Sequence, residues 1–239
     1  TTTQQEAMKL QQEYQAANGE QAKMQAVQEA YAKLMTDAQA KETELIKANP
    51  DSYVSTFVIV SSMGQMEYEQ LKERYNLLGE KAKASAQGKA IAAQIAKLES
   101  TAIGQIAPNF TITTPEGESI SLYDIKGKVK LIDFWASWGG LCRGENPHVV
   151  EIYKEYHPKG LEIFGVSLDN NKEAWVKAIA DDGLVWKHGS DLKGWQSAPA
   201  QLYSVSGIPH TVLLDENNKI IAKNLRGDEL KQKIAELLK

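Results

Sequence analysis

The residue with the clearest chemistry is Cys142, the single cysteine of the chain. It ends the segment 134–142, which contains two tryptophans and follows a mostly apolar run at 129–133. We predict a buried strand over 129–134, then a turn, then Cys142 in the first turn of a helix. The positive end of a helix dipole favours a thiolate, the form of cysteine that attacks disulfides. The pattern therefore indicates thiol chemistry, and the alternative is a buried, inert thiol, since free cysteine is among the most buried residue types.

Disulfide exchange by a dithiol needs a second sulfur, which this chain lacks. One exposed thiolate attacks the substrate disulfide, and a second thiol resolves the mixed disulfide. A single cysteine also excludes an internal disulfide framework and leaves a free thiol or an intermolecular bridge. Gly139 and Gly140 precede Cys142, and they remove two side chains and add backbone freedom. We expect this to improve access to Cys142.

Composition bounds the function classes. The chain has 239 residues, of which 42% are hydrophobic and 24% charged, with a formal net charge of -4. These values predict one or two globular domains with a real core, and they give no sign of a nucleic-acid or anionic-membrane partner. The apolar stretch 54–60 is far shorter than the roughly 20 residues of a membrane helix, so we predict none. The chain begins with Thr1 and without an apolar signal segment, and we expect a mature or trimmed product.

Residues 1–100 favour helix, because they are rich in Ala, Gln, Glu, Lys and Met. Met24, Val27, Ala30, Tyr31 and Leu34 form an apolar stripe at helical spacing that needs a partner surface. We predict a break at Asn18-Gly19 and helices over 50–62, 66–78 and 87–99, the first with Asn49 as N-cap and Pro50 as its first residue. This all-α segment is either a dimerisation or docking module or a spacer that packs on the next domain, and we favour the spacer.

Residues 101–239 alternate strands with helices, the pattern of a mixed sheet covered on both faces. The predicted strands are 110–113, 119–122, 129–134, 161–168, 212–215 and 219–223. The predicted helices are 146–156, 172–181 and 228–238. The order is therefore β-β-β-α-β-α-β-β-α, which indicates an α/β domain of three layers.

Five separate segments carry a resemblance to a known family: 104–110, 126–129, 134–142, 165–169 and 207–212. Together they resemble the thioredoxin-like family of the TlpA and ResA type, related to AhpC/TSA, whose members are thiol-disulfide oxidoreductases of bacterial envelopes. Residues 1–100 resemble, more loosely, the helical segment that precedes this domain in Bacteroidetes-like members. The resemblance implies a thioredoxin-like three-layer fold with a central mixed sheet and a periplasmic or other envelope location.

The resemblance assigns catalytic roles to five positions. Cys142 matches the resolving cysteine, Gly139 the position of the missing nucleophile, and Pro209 a cis-proline facing the site. Asp133 matches the acid beneath a thioredoxin site and Glu145 the acid of ResA-like proteins. Burial raises the pKa of a carboxyl group, which suits it to exchange protons with a thiol. The alternatives are local hydrogen bonding for Asp133 and solvation in the first helical turn for Glu145.

A second set of positions matches the substrate-binding rim: Trp138, Gly140, Leu141 and Ile208. Leu141 stands where family members usually carry proline. The apolar Ile208 before Pro209 suits an extended peptide. The stretch 181–205 is longer than a minimal thioredoxin needs, and we expect it to shape partner choice.

The histidines give weaker signals. His210 is a candidate base beside Pro209, but a lone surface histidine is more often inert. His148, His157 and His188 lack ligand spacing, so we predict no metal site, and nothing in the sequence predicts a cofactor. We interpret Trp175, among the remaining aromatics, as core rather than as part of a ligand box.

Three functional interpretations follow. The first, favoured by the family, is an oxidoreductase acting on protein thiols and disulfides, with dithiol cycling lost because glycine occupies position 139. The second, favoured by the residues present, is a redox-inactive module that binds extended polypeptide. The third is a one-cysteine peroxidase, which lacks the P-x-x-x-[ST]-x-x-C arrangement. A homodimer through the helical segment or through Cys142 is a further partner hypothesis, and natural loss or designed substitution would each account for Gly139.

Overall fold

The computed structural model describes residues 2–16 and 21–239. The chain divides into two compact units, with the division between Gln94 and Ile95. The predicted break at Asn18-Gly19 lies outside the described residues, as does the side chain of Met24. The two-domain interpretation with a boundary at residue 100 stays a prediction.

The first unit is helical. Its helices are α1 (Thr2–Ala16), α2 (Gln21–Ala48), α3 (Tyr53–Ser62), α4 (Tyr68–Asn76), α5 (Glu80–Ala84) and α6 (Ala86–Glu99), the last of which continues into the second unit. Ile46, Ile59, Leu71 and Ile91 are fully buried, so the core of this unit joins α2, α3, α4 and α6. Tyr31, from the predicted apolar stripe, is 45% exposed, and the stripe is therefore only partly covered.

The start of the helix predicted at Asn49-Pro50 is wrong. α2 continues to Ala48, and α3 begins at Tyr53 because Ser52 caps it. The Ser52 hydroxyl accepts a hydrogen bond from the Val54 N–H at 3.1 Å, which satisfies one of the free N–H groups at a helix start. The Ser52 N-cap, and not Pro50 as a first helical residue, therefore decides where α3 begins.

The second unit is built on one mixed sheet, whose seven strands within the described residues run in the order β2-β1-β5-β4-β3-β6-β7. The strands are β1 (Thr111–Thr113), β2 (Ser119–Ser121), β3 (Val129–Trp135), β4 (Leu161–Ser167), β5 (Lys187–Ser190), β6 (His210–Asp215) and β7 (Ile220–Lys223). β3, β4 and β5 are parallel, and the remaining pairs are antiparallel. β3 is therefore a central strand, flanked by β4 and β6.

Helices complete the second unit: α7 (Gly140–Tyr156), α8 (Lys172–Asp181), α9 (Ala198–Leu202) and α10 (Gly227–Leu237). One apolar cluster joins the sheet to α7, α8 and α10, with Ile152, Trp175 and Ile234 among its members. A second cluster joins the sheet to segments that include Leu122 and Tyr203. The sheet thus has a core on each face, and the predicted thioredoxin-like α/β class is confirmed.

Three elements of this unit differ from the predictions. β5 and α9 were not predicted. α7 begins at Gly140, which agrees with the prediction that Cys142 lies in a first helical turn but not with the predicted helix over 146–156. β5 reads Lys-His-Gly-Ser, which has no apolar alternation, and it forms a strand because it pairs with β4 in the interior. The start of α7 carries two glycines and an internal Pro147, residues that usually argue against a helix.

Gly165 on β4 gives space to an aromatic stack behind the site. His188 of β5 lies between Trp135 and Trp186, with ring centroids 5.6 Å and 5.8 Å away. A Cβ atom at residue 165 would lie 2.2 Å from His188 Nδ1. His188 and Trp135 are both buried, so a Cβ atom at residue 165 would have to displace a packed ring.

We therefore expect Gly165→Ala to destabilise the second unit by about 1–3 kcal/mol or more, the cost of overpacking a filled core. Gly144→Ala is the matched control, since a Cβ there meets nothing within 4 Å and lies inside α7. Alanine should stabilise that helix by about 0.5–1 kcal/mol. Urea unfolding of both variants measures the two effects, and equal stability of both would contradict the packing argument.

Candidate functional site

The turn between β3 and α7 holds Gly139 in an ordinary backbone conformation. Gly139 donates its N–H to the Ala136 carbonyl at 3.0 Å and accepts the Arg143 N–H at 2.9 Å. Its φ of -77° and ψ of 96° are open to any L-residue. A Cβ atom there would lie 2.9 Å from Cys142 Sγ and 3.4 Å from Cys142 Cβ. Since disulfides hold their Cβ atoms about 3.5–4.5 Å apart, the backbone remains close to the spacing of a 139–142 disulfide.

Cys142 lies in the first turn of α7, as predicted, but its surroundings do not favour a thiolate. The residue is 1% exposed, and burial raises the pKa of its thiol to about 11. The nearby Asp133 carboxyl raises it further, while Arg226 and the Ala136 backbone act in the opposite direction. The expected thiolate and the expected gain in access are therefore both wrong, because desolvation outweighs the helix dipole.

One polar cluster fixes the turn from the side of β4. The buried Asp169 carboxylate accepts the Ser137 N–H at 3.0 Å and the Ser137 hydroxyl at 2.5 Å. It also accepts the Ser167 hydroxyl at 2.7 Å, while its own N–H bonds back to Ser167 Oγ. Hydrogen bonds to a charged acceptor in a buried setting are strong, so the first half of the turn is fixed.

A second cluster fixes the turn from the side of α8. Asp182, just after α8, binds the Arg143 guanidinium through both carboxylate oxygens and accepts the Asn146 amide at 2.6 Å. Arg143 also donates to the Ser137 carbonyl at 3.3 Å. The backbone freedom expected from Gly139 and Gly140 is therefore limited, because Ser137 before them and Arg143 after them are both held by hydrogen bonds. Sequence reasoning missed Asp169, Arg143 and Asp182; the only signal was a carboxylate that directly follows a buried strand.

Four of the predicted site residues meet beneath the turn. Asp133, Cys142, Glu145 and Pro209 line one cavity of about 10 Å³, together with Arg226, which sequence reasoning missed. Pro209 is buried, and the Ile208–Pro209 peptide bond is cis. The free space is about that of one water molecule, so charges in this cavity depend on their protein neighbours.

The two acids of this cavity have different environments. The pKa of Asp133 is raised to about 7, mainly by burial and also by the nearby Glu145 carboxylate, while Arg226 opposes the rise. Glu145 is half-buried and accepts the Gly227 N–H at 2.7 Å. Glu145 is therefore not the solvated surface acid of the alternative interpretation; it caps the N-terminus of α10.

The remaining predicted site residues form an exposed rim. Trp138 is 52% exposed and Leu141 74% exposed, and Gly140 between them is also exposed. Trp195, from the long connection before β6, lies beside Trp138 with ring centroids 6.0 Å apart. Ile208 is half-buried, and its N–H and C=O make no hydrogen bond within the part of the chain that the structure describes.

Two histidines differ from their sequence interpretation. His210 is buried and lies edge-on to Phe134 at 5.9 Å, so it is not a surface histidine. His188 is buried, and desolvation lowers the pKa of its ring to about 3. Within residues 2–16 and 21–239, no group of three or more His, Cys, Asp and Glu side chains could hold a metal ion.

Among the described helices, none combines the length and apolar character of a membrane span.

Comparison with known proteins gives concordant matches. The Redoxin family matches residues 102–238. The chain is similar to the thiol-disulfide oxidoreductase ResA of Bacillus thuringiensis subsp. konkukian, with 34% identity over 143 residues, 60% of this chain and 80% of that protein.

Two solved structures are similar to the second unit. One is the thioredoxin domain of a thiol-disulfide oxidoreductase from Bacteroides vulgatus, with 38% identity, a TM-score of 0.54, and coverage of 58% of this chain and 99% of that one. The other is a thiol-disulfide oxidoreductase from Bacteroides fragilis, with 34% identity, a TM-score of 0.53, and coverage of 56% and 100%.

The raised pKa of Asp133 predicts a pH-dependent effect of Asp133→Asn on stability. A carboxyl group whose pKa rises on folding binds its proton more tightly in the folded state, so the wild-type protein loses stability as pH rises from about 4 to about 7. Asparagine does not ionise, so the stability of the variant does not fall in this way. Its free energy of unfolding should therefore rise relative to that of the wild type between pH 4 and pH 7, by up to the order of 4 kcal/mol. Denaturant unfolding at pH 4, 6 and 8 measures it; Asp181→Asn at the exposed end of α8 controls for the loss of one carboxylate. A gain that is the same at all three pH values would contradict the prediction.

The burial of Cys142 predicts slow alkylation. At pH 8 a thiol with a pKa near 11 has a thiolate fraction about two orders of magnitude below that of an ordinary cysteine. Reaction with iodoacetamide should therefore be at least about 100-fold slower in the folded chain than in the urea-unfolded chain. Mass spectrometry follows the modification, and equal rates would show that Cys142 is accessible in the folded protein.

Proposed function

The chain belongs to the redoxin family, and from that premise we propose that it is a thiol-disulfide oxidoreductase-type protein whose site now binds extended polypeptide without cycling a dithiol. The observation that carries the proposal is the geometry at 139 and 142. Gly139 supplies no sulfur at the nucleophile position, and the remaining thiol is buried with a raised pKa. The attacking half of a dithiol cycle is therefore missing, and the buried Cys142 thiol cannot take its place.

In this proposal the residues keep the roles that the resemblance implies. Cys142 is the resolving thiol, and Gly139 marks the place of the attacking one. Asp133 is the proton acceptor for the Cys142 thiol, because its pKa near 7 lets it exchange protons at neutral pH. Glu145 and Pro209 line the same cavity and complete the catalytic frame.

Binding of extended polypeptide is supported by the rim above the cavity. The unpaired N–H and C=O of Ile208 can pair with the main chain of a segment laid beside the Pro209 loop, as when a peptide adds to a sheet edge. Trp138 and Leu141 offer exposed apolar surface for its side chains, and Gly140 between them leaves room for close approach. Main-chain pairing gives affinity for many sequences, and the apolar rim favours segments with large apolar side chains.

We propose a place in the bacterial envelope, following the resemblance to the TlpA and ResA type. The partners would be protein thiols and disulfides or unfolded segments, and the helical segment is the better candidate for a homodimer contact. A disulfide-linked dimer through Cys142 is disfavoured by the burial of its thiol. The peroxidase alternative is disfavoured as well, since a peroxide-reactive cysteine needs a lowered pKa and that of Cys142 is raised.

The test is thiol-dependent reduction of insulin disulfides by this chain and by its Gly139→Cys variant. Because a Cβ at 139 lies 3.4 Å from Cys142 Cβ, the variant should form an internal disulfide and accelerate insulin reduction at least about tenfold over the original chain. The original chain, with Gly139, should not exceed the background rate of dithiothreitol alone. A Gly140→Cys variant is the matched control, since its Cβ meets nothing within 4 Å.

Binding is measured separately with carboxymethylated insulin B chain, an unfolded polypeptide without free thiols. Titration calorimetry should detect it on the original chain, and Trp138→Ala should weaken it. Acceleration by the original chain would overturn the loss of cycling. An inactive Gly139→Cys variant would overturn the oxidoreductase frame, and absence of B-chain binding would overturn the binding role.

A further inference from the structure

Arg226 stands at a junction that is fixed on several sides. It is the N-cap residue of α10, and its own side chain makes no cap hydrogen bond. The next N–H, of Gly227, bonds to Glu145 of α7 at 2.7 Å, and the preceding Leu225 carbonyl accepts the Thr211 hydroxyl of β6 at 2.8 Å. The backbone that presents Arg226 is therefore tied to both α7 and β6.

The guanidinium of Arg226 contacts the loop that borders the site. Its Nη2 donates a hydrogen bond to the carbonyl oxygen of Pro209. Pro209 follows Ile208, whose main-chain groups are unpaired in the described structure, and it precedes β6. A fixed side chain on a fixed backbone thus holds the carbonyl next to the edge proposed to receive polypeptide. A hydrogen bond with one charged partner is typically worth more than a neutral one.

Arg226 shares a small cavity with two carboxyl groups. Asp133 of β3 and Glu145 of α7 line the cavity with it, and Cys142 is the other titratable side chain there. In the described structure, the charged groups that act on Asp133 are Glu145, which raises its pKa, and Arg226, which lowers it. Arg226 is the one basic residue among the described residues that line this small cavity, so without it the two carboxyl groups would share the cavity with no positive side chain.

We propose that Arg226 is a positioning residue of this site, which holds the Pro209 carbonyl in place and serves as counter-ion to Asp133 in the cavity that both residues line. Arg226 thereby links the N-terminus of α10 to the Pro209 loop by a hydrogen bond and to Asp133 by its charge. Neither the family resemblance nor the local sequence at 224–227 points to this role. The effect on polypeptide binding rests on the proposed function, whereas the effects on Asp133 and on the Pro209 loop do not.

The experiment compares Arg226→Met, which removes both charge and donors, with Arg226→Lys, which keeps the charge. Lys231→Met is the matched control, since Lys231 is also on α10 but pairs with Glu155 at the surface. Carbon-13 NMR titration of the Asp133 carboxyl should show a midpoint about one pH unit or more higher in Arg226→Met. Arg226→Lys should restore most of the shift, and Lys231→Met should leave the midpoint within a few tenths of a unit.

Nitrogen-15 relaxation in the same samples reports on the loop. The Ile208 amide should become more mobile in Arg226→Met and stay unchanged in Lys231→Met. Where the original chain binds carboxymethylated B chain, Arg226→Met should weaken that binding about tenfold.

The outcomes separate the parts of the inference. An unshifted Asp133 midpoint in Arg226→Met, or a shift that Arg226→Lys fails to restore, overturns the counter-ion role. An unchanged Ile208 amide overturns the positioning role. Failure of the original chain to bind B chain overturns the proposed function alone, because the titration and relaxation measurements still decide the roles of Arg226.

Discussion

The constraint on which the site depends is the burial of β3 on both faces. All seven residues from Val129 to Trp135 are buried, so the carboxyl of Asp133 is carried into the interior by a strand that cannot turn it outward. Its register places Gly165 of β4 on one side and Thr211 of β6 on the other. With α7 above this point, Cys142 and Asp133 share a cavity from which water is nearly excluded. Desolvation then sets the protonation of both groups.

This constraint explains why the helix dipole does not produce a thiolate here. A dipole favours negative charge at the first turn by roughly 1 kcal/mol or less at exposed sites, whereas burial of an unpaired charge costs several times more. An attacking cysteine avoids that cost by standing on the exposed side of the turn. Position 139 is more exposed than Cys142, and there the chain has glycine. The thiol that is present, Cys142, is the one that the fold shields.

The sequence predicts elements well where periodicity and caps agree, and poorly where distant contacts decide. α8 lies where it was predicted, over Lys172–Asp181, because an apolar stripe follows a true N-cap, Asn171, whose Oδ1 accepts the Ala174 N–H. β5 has no apolar alternation, and only its pairing with β4 makes it a strand. The site divides in the same way. Cys142 could be found from its local pattern. Arg226 could not, because it bonds to Pro209, 17 positions away, and shares a cavity with Glu145 and Asp133, which lie 81 and 93 positions away in the chain.

None of the interactions that hold the turn uses a side chain at position 139. Asp169 accepts a hydrogen bond from Ser137, Asp182 accepts one from Arg143, and Arg226 donates one to the Pro209 carbonyl. None of these groups belongs to residue 139. The backbone of residue 139 is hydrogen-bonded on both sides whichever side chain it carries. Loss of the attacking sulfur therefore removes one reactive atom without removing the frame around it. Under the proposed function, holding a polypeptide beside Pro209 and exchanging its disulfide are physically separable, because they would rest on different atoms.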